Sequence, residues 1–285
     1  MNNDSNIKHI VKEKYSAIAG QAKEVNAASC CGATSTCDNS NVYNIMSEDY
    51  TKLEGYNPEA DLGLGCGLPT AFAGIKEGDI VIDLGSGAGN DAFVARRLTG
   101  EKGKVIGVDF TEAMISRARE NAEKLGLHNV EFRQGDIEDL PVTSGKADVI
   151  VSNCVLNLVP NKHKAFGEVF RVLKPGGHFC ISDIVLEGPL PSKWKEVAEL
   201  YAGCISGAVQ KSEYLDIIKE AGFKNITLQK DKMIVIPDEI LAAYLSAEEI
   251  SEYKNGETKI TSITVSAEKP AKDDRNCCEP GSGCC

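Results

Sequence analysis

The sequence predicts an α/β protein built on a mostly parallel sheet with helices on both faces. Three observations carry this. From Asp79 onward, short β-branched runs alternate with helix-compatible stretches, the pattern of crossover units. The first run ends in a glycine-rich turn, Gly85-Ser86-Gly87-Ala88-Gly89, that opens a helical stretch. Each of the next two runs also ends near an aspartate, Asp109 and then Asp136. A sheet buried on both faces by crossover helices needs near-continuous apolar strands, and these runs have them.

The elements follow in order. A helix is predicted near Ile7–Tyr15, then a cysteine-bearing loop and a Gly-rich segment. "DIVIDLG" is the first strand, with a helix from about Gly89 to Leu98. "GKVIGVDF" is the second strand, and Glu112–Leu125, rich in Ala, Arg and Glu, the next helix. "VEFRQGD" and "ADVIVSNC" are the third and fourth strands. Lys162–Leu173 is helical and is stopped by Lys174-Pro175-Gly176-Gly177; "HFCISDIV" is the fifth strand. After Pro191 the rhythm changes. Helices are expected near Lys193–Ile205 and Lys211–Ala221, and "ITLQKDKMIVI" and "TKITSITVSAEK" read as two late strands around a helical Pro237–Tyr253. The end, "KPAKDDRNCCEPGSGCC", is polar and Gly/Pro-containing and reads as disordered. The expected division is 1–75 as an N-terminal helix and Cys-bearing lid segment, and 76–186 as the cofactor-binding unit. Residues 187–269 form a smaller C-terminal α+β part on the substrate side, and 270–285 a Cys-rich tail.

Composition bounds the function. The 285-residue chain carries a formal charge of −11 and is 42% hydrophobic. That acidic balance excludes nucleic acid as the main partner, because phosphate binding needs a basic surface. No apolar run approaches the roughly 18 residues of a membrane span. The start, "MNNDSNIKHIVKEKY", lacks a signal-peptide core, so a cytoplasmic location is expected. Eleven cysteines are then anomalous. A disulfide scaffold is not expected in a reducing compartment, which leaves soft-metal or metalloid binding, catalysis, or buried apolar cysteine.

Three successive strand ends carry the cofactor reading. Gly85, Ser86, Gly87 and Gly89 let the backbone bend sharply and approach a ligand, yet Asn90 breaks the dinucleotide fingerprint. Asp83 would repel a pyrophosphate and suits an ammonium group. Asp109, ending the second strand, can accept from ribose hydroxyls. Asp136 can accept from an exocyclic amine, with the backbone of Ile137 facing the same ring. Each alone could be a turn former. In this order they describe S-adenosylmethionine. Met114 reads as a wall of that site or as core, and Asn153 as a substrate contact or a strand end.

From Asp79 to Val185 these residues resemble the class I S-adenosylmethionine-dependent methyltransferases, including "RVLKPGGHF" before the fifth strand. The resemblance implies a Rossmann-like sheet of seven strands, the last antiparallel. It also implies that Cys154, after the fourth strand, faces the methyl acceptor. Cys66 sits in the irregular loop "EADLGLGCGLP" and Cys204 among small residues in "LYAGCISGA"; Cys180, inside a strand, reads as core. Any of the three could instead be buried apolar cysteine. Zinc usually shows close C-x2–4-C pairs, and none occurs. Trivalent arsenic is soft, prefers sulfur, and keeps a lone pair when three sulfurs hold it. "EADLGLGCG", "SNCVLNL" and "YAGCISGA" are similar to the cysteine motifs of the arsenite methyltransferases.

That resemblance implies arsenite, or its glutathione adduct, bound by Cys66, Cys154 and Cys204. One N-terminal cysteine, Cys30 or Cys31 of "AASCCGA", would support later rounds, and glutathione or thioredoxin would serve as reductant. Two rivals remain: a quinone-type C- or O-methyltransferase, and a thiol-rich metalloid or zinc buffer. The tail pairs Cys277-Cys278 and Cys284-Cys285 read as dispensable, or as a capture arm for arsenite. The four histidines form no cluster in the sequence, and the lone tryptophan, Trp194, reads as packing.

Overall fold

The structure, a computed structural model, describes residues 3–20, 48–189, 207–236, 238–242 and 246–271. Seven strands form one sheet: β1 (Ile80–Leu84), β2 (Lys104–Asp109), β3 (Val130–Gln134), β4 (Ala147–Asn153), β5 (Leu173–Glu187), β6 (Lys224–Met233) and β7 (Lys259–Glu268). Their order is β3-β2-β1-β4-β5-β7-β6. The pairs among β1 to β5 are parallel, and β7 runs antiparallel between β5 and β6. The late strands therefore complete the first sheet rather than a separate one. Among the described residues, the helices longer than one turn are α1 (Asn3–Ala19), α2 (Asn90–Thr99), α3 (Glu112–Lys124), α4 (Lys162–Val172), α5 (Lys211–Glu220) and α6 (Ala247–Asn255).

The two-residue period of the strands builds two cores. Val81, Val105, Val149, Val151 and Cys180 face one side, where Phe93 of α2, Met114, Ile115 and Ala118 of α3 and Ile18 of α1 cover them. Ile82, Leu84, Ile106, Ile150, Phe179 and Ile181 face the other, covered by Phe166 and Val169 of α4 and Tyr214 and Ile217 of α5. That second core is knit by rings. Phe166–Phe179, Phe166–Tyr214 and Phe179–Phe223 have centroids 5.8, 5.5 and 4.8 Å apart, each pair adding about 0.5–1.5 kcal/mol beyond its burial.

Most boundaries match the sequence reading within a few residues. α1 is longer than expected, reaching Asn3 and Ala19. The expected helix over 237–253 is split: a single turn at Asp238–Leu241, then α6, which starts on a capping box between Ser246 and Glu249. β5 begins at Leu173 and absorbs the Pro-Gly-Gly turn as an irregularity in its pairing with β4. The expected helix near 193–205 and the Cys-rich tail lie outside the described residues. So do Cys30, Cys31, Trp194 and Cys204. Among the described residues no helix is long and apolar enough to cross a membrane.

Candidate active site

Strand order reverses between β1 and β4, so the chain leaves these neighbours toward opposite faces. The crevice left beyond their carboxyl ends is where open parallel sheets bind ligands. Here it is lined by Asp83, Gly85, Ser86 and Gly87 after β1, and by Asp109 and Thr111 after β2. Asp136 and Ile137 follow β3, and Asn153, Cys154 and Val155 end β4. Met114 of α3 and Lys8, Val11 and Tyr15 of α1 close the sides.

The glycine turn is bound to β2. Gly85 and Ser86 donate their N–H groups to Val108 O at 2.7 and 3.1 Å. Gly87 donates to Asp109 Oδ2 at 3.1 Å, and Thr111 N to Asp109 Oδ1 at 2.8 Å. Gly85 has φ +65°, and a Cβ there would overlap the Val155 side chain, so both conformation and space demand glycine. Gly89 is not part of the wall; it caps α2 in a left-handed conformation.

The site is rich in buried carboxylate. Asp83 is 2% exposed, and its Oδ2 has no hydrogen-bond partner; the Ser86 Oγ and Asn90 Oδ1 atoms are also buried and unpartnered. Burial pushes the Asp83 carboxyl well above its ordinary value, and the charges of Asp91 and Asp109 add to this, against one bond from the Ala92 N–H. Asp91 is raised to about 6 by burial, against hydrogen bonds from Tyr50, Asn153 and Thr70. Burial also raises Asp109, while the Thr111 and Gly87 N–H groups oppose it. An unpaired buried carboxylate is costly and calls for a cation. The orphaned oxygens of Asp83, Ser86 and Asn90 therefore fit an ammonium-bearing ligand, and Asp109 and Asp136 lie along the same cleft for a diol and an amine. The residues present fit S-adenosylmethionine.

At the far end, α1 docks on Asp136. Lys8 Nζ lies 2.7 Å from Asp136 Oδ2 and 3.1 Å from Glu138 Oε2. Partial burial lowers the Lys8 ammonium, but its bonds to the two carboxylates outweigh this and hold it above its usual value. Lys8→Met is expected to weaken S-adenosylmethionine binding by about three- to tenfold in calorimetric titration, a small effect because the pair is partly solvated.

The thiols occupy the β4 end of the cleft. Cys154 sits at φ +60°, a left-handed conformation that a non-glycine residue adopts at a cost of roughly 1 kcal/mol or more, and its N–H donates to Ser182 O at 2.8 Å. This bend turns the chain out of β4 and lets Cys154 line the cleft, while Cys66 lies behind it, 1% exposed. The two are joined as a disulfide with Cα atoms 5.7 Å apart. Thiols converging on one acceptor are expected here; the fold does bring the two loops together, but with the sulfurs of Cys66 and Cys154 bonded to each other. Cys180 is fully buried within β5, as its strand position implied, and burial raises its thiol to about 12.

Asp83, Gly85, Ser86, Gly87, Asp109, Met114, Asp136, Ile137, Asn153 and Cys154 thus all line one cleft. Sequence reasoning missed Asp91, Tyr50 and Lys8. Asp91 had a local signal, a carboxylate in the first turn of the helix after the glycine loop, where the macrodipole favours it. Tyr50 and Lys8 had none, since their partners are 41 and 128 residues away.

Residues 75–222 match the model of a methyltransferase domain family. The chain is 43% identical over 216 residues to an arsenite methyltransferase of Halobacterium salinarum, covering 75% of this chain and 53% of that one. It is 39% identical over 188 residues to one from Aquipseudomonas alcaligenes, covering 64% and 54%. A crystal structure of an arsenic(III) S-adenosylmethionine methyltransferase from Chlamydomonas reinhardtii superposes with a TM-score of 0.61 at 36% identity, covering 72% of this chain and 68% of that one. The chain spans about half the length of the curated relatives it matches.

Proposed function

Because the chain belongs to the arsenite methyltransferases, within the class I S-adenosylmethionine-dependent methyltransferases, we propose that it methylates trivalent arsenic held by cysteine sulfur, for arsenic detoxification. The observation that carries this reading is the meeting of Cys66 and Cys154, 88 residues apart in sequence, at the wall of the cleft that holds the orphaned Asp83 carboxylate. A quinone-type methyltransferase has no use for paired sulfurs beside its cofactor.

S-adenosylmethionine supplies an electrophilic methyl on its sulfonium, and arsenic bound through sulfur presents a lone pair and no proton. The protein therefore needs no general base. Its residues bind, orient and exclude water. Asp83 would hold the ammonium, Asp109 the ribose, and Asp136 the adenine amine, leaving the β4 end for the acceptor. In the disulfide form Cys66 and Cys154 have no thiolate to offer. A reductant such as glutathione or thioredoxin has to open the pair; two glutathiones give two thiols and one oxidised glutathione. A reducing, cytoplasmic location is part of this reading.

The third sulfur is assigned to Cys204. Support comes from the sequence motif "YAGCISGA", which is similar to the third cysteine motif of that family. Cys30 or Cys31 would serve later rounds. The test is purified protein with As(III), glutathione and methyl-labelled S-adenosylmethionine, followed by arsenic speciation. Label in methylated arsenicals, dependent on reductant, is expected. Binding of arsenite without transfer, or label only in a quinone-type acceptor, would overturn the proposal.

A further inference from the structure

Both polar atoms of the Asn153 amide reach the loop that carries Cys66. Its Oδ1 accepts from Cys66 N at 3.0 Å and from Gly67 N at 3.2 Å. Its Nδ2 reaches Gly67 O at 2.9 Å, Asp91 Oδ2 at 3.2 Å and the Tyr50 hydroxyl. Two hydrogens serve three acceptors there, so the carboxylate is met chiefly by Tyr50, whose hydroxyl lies 2.8 Å from Asp91 Oδ2. The Cys66 carbonyl is held from the other side by Ser262 Oγ at 2.7 Å. The loop also packs flat on this amide, since a Cβ at Gly65 would lie 2.5 Å from Asn153 Nδ2. Asn153 is the residue before Cys154, so one side chain ties the backbone of the first sulfur to the backbone of the second.

We propose that Asn153 is a positioning residue that sets the distance between the sulfurs of Cys66 and Cys154, by clamping the Cys66 loop onto the end of β4. A strand-ending residue facing the cleft would ordinarily be read as a ligand contact. Its amide is instead committed to the protein, with both polar atoms used and Tyr50 and Asp91 bracing it. An asparagine suits this better than any carboxylate, because it accepts from two N–H groups and donates to a carbonyl in one plane. An aspartate would also stand against buried Asp91. The clamp works through the sulfurs, so its relevance to methyl transfer rests on the proposed arsenite chemistry; its effect on the dithiol does not.

The test uses the full chain, with Asn153→Ala and the milder Tyr50→Phe. The first readout is the equilibrium of the Cys66–Cys154 pair against reduced and oxidised glutathione, mapped by trapping and peptide mass spectrometry. Losing the clamp is expected to lower the effective concentration of one thiol at the other by about tenfold in Asn153→Ala, the equivalent of one or two hydrogen bonds, and by about threefold in Tyr50→Phe. The second readout is calorimetric binding to the fully reduced protein. Arsenite affinity is expected to fall about tenfold, with S-adenosylmethionine affinity changed less than about threefold. An unchanged dithiol equilibrium in folded Asn153→Ala overturns the proposal. So does an unchanged equilibrium in Tyr50→Phe if the alanine variant does not fold, or a loss confined to cofactor binding. If the parent protein binds no arsenite while the dithiol equilibrium still shifts, the clamp stands and the substrate assignment fails.

Discussion

Cys154→Ser and Cys66→Ser are each expected to cut methyl transfer to arsenite by about 100-fold or more, while S-adenosylmethionine affinity stays within about threefold. The physical basis is donor softness. A serine hydroxyl is nearly isosteric with a thiol but is a hard donor, and trivalent arsenic bound through fewer sulfurs is held loosely and misdirected. Asp83, Asp109 and the glycine turn are held by the β1 and β2 ends through their own bonds. Cys180→Ala provides the contrast. That thiol is buried and held up to about 12, so its loss is expected to cost about 1 kcal/mol of stability and to leave turnover within about twofold. Label transfer with arsenic speciation checks all three. Full turnover by Cys154→Ser would turn the assignment toward a carbon or oxygen acceptor.

Asp83→Asn is expected to move binding and stability in opposite directions. Cofactor affinity should fall roughly 100-fold, because the ammonium loses a charged partner in a dry site. The ligand-free protein should become more stable near neutral pH, by on the order of 1 kcal/mol. The sign follows from protons. Burial, then the Asp91 and Asp109 charges, raise the native carboxyl well above its ordinary value. Between the ordinary aspartate range and that raised value, the native state binds more protons than the unfolded chain. Its stability therefore falls as pH rises through the interval, and the ionised group is a burden above it. The amide carries no such burden and keeps an acceptor for the Ala92 N–H. Its advantage should be present at about pH 8 and vanish near about pH 3, below the unfolded value. Thermal unfolding across that range and calorimetric titration with S-adenosylmethionine measure both halves. Lost binding with lowered stability at about pH 8 would mean that Asp83 is structural rather than the ammonium site.

Much of the cofactor half was legible because its signals are local. Asp83 and Gly85 are two residues apart, and the turn announces itself in composition. Asp109 and Asp136 end their own strands, so knowing each strand's limit was enough to aim them at one crevice. Cys180 was separable from Cys154 by the same reasoning, since one lies within a strand and the other just past its end. Asn153 was harder. Its position left a substrate contact and a plain strand end both open; it does line the cleft, but its partners arrive from 86 and 87 residues away.

The amino-acid sequence by itself determined the strand–helix alternation, the glycine turn, the carboxylates at three strand ends, and a likeness of the cysteine motifs to one family. These depend on periodicity and on neighbours along the chain. Only the tertiary structure decided that Cys66 and Cys154 are bonded to each other, that Lys8 sits on Asp136, and that Tyr50, Asp91 and Asn153 form one network. Such pairings are set by packing, when loops from distant parts of the chain must satisfy each other's backbone groups away from water. No short stretch of sequence records which loop will supply the partner.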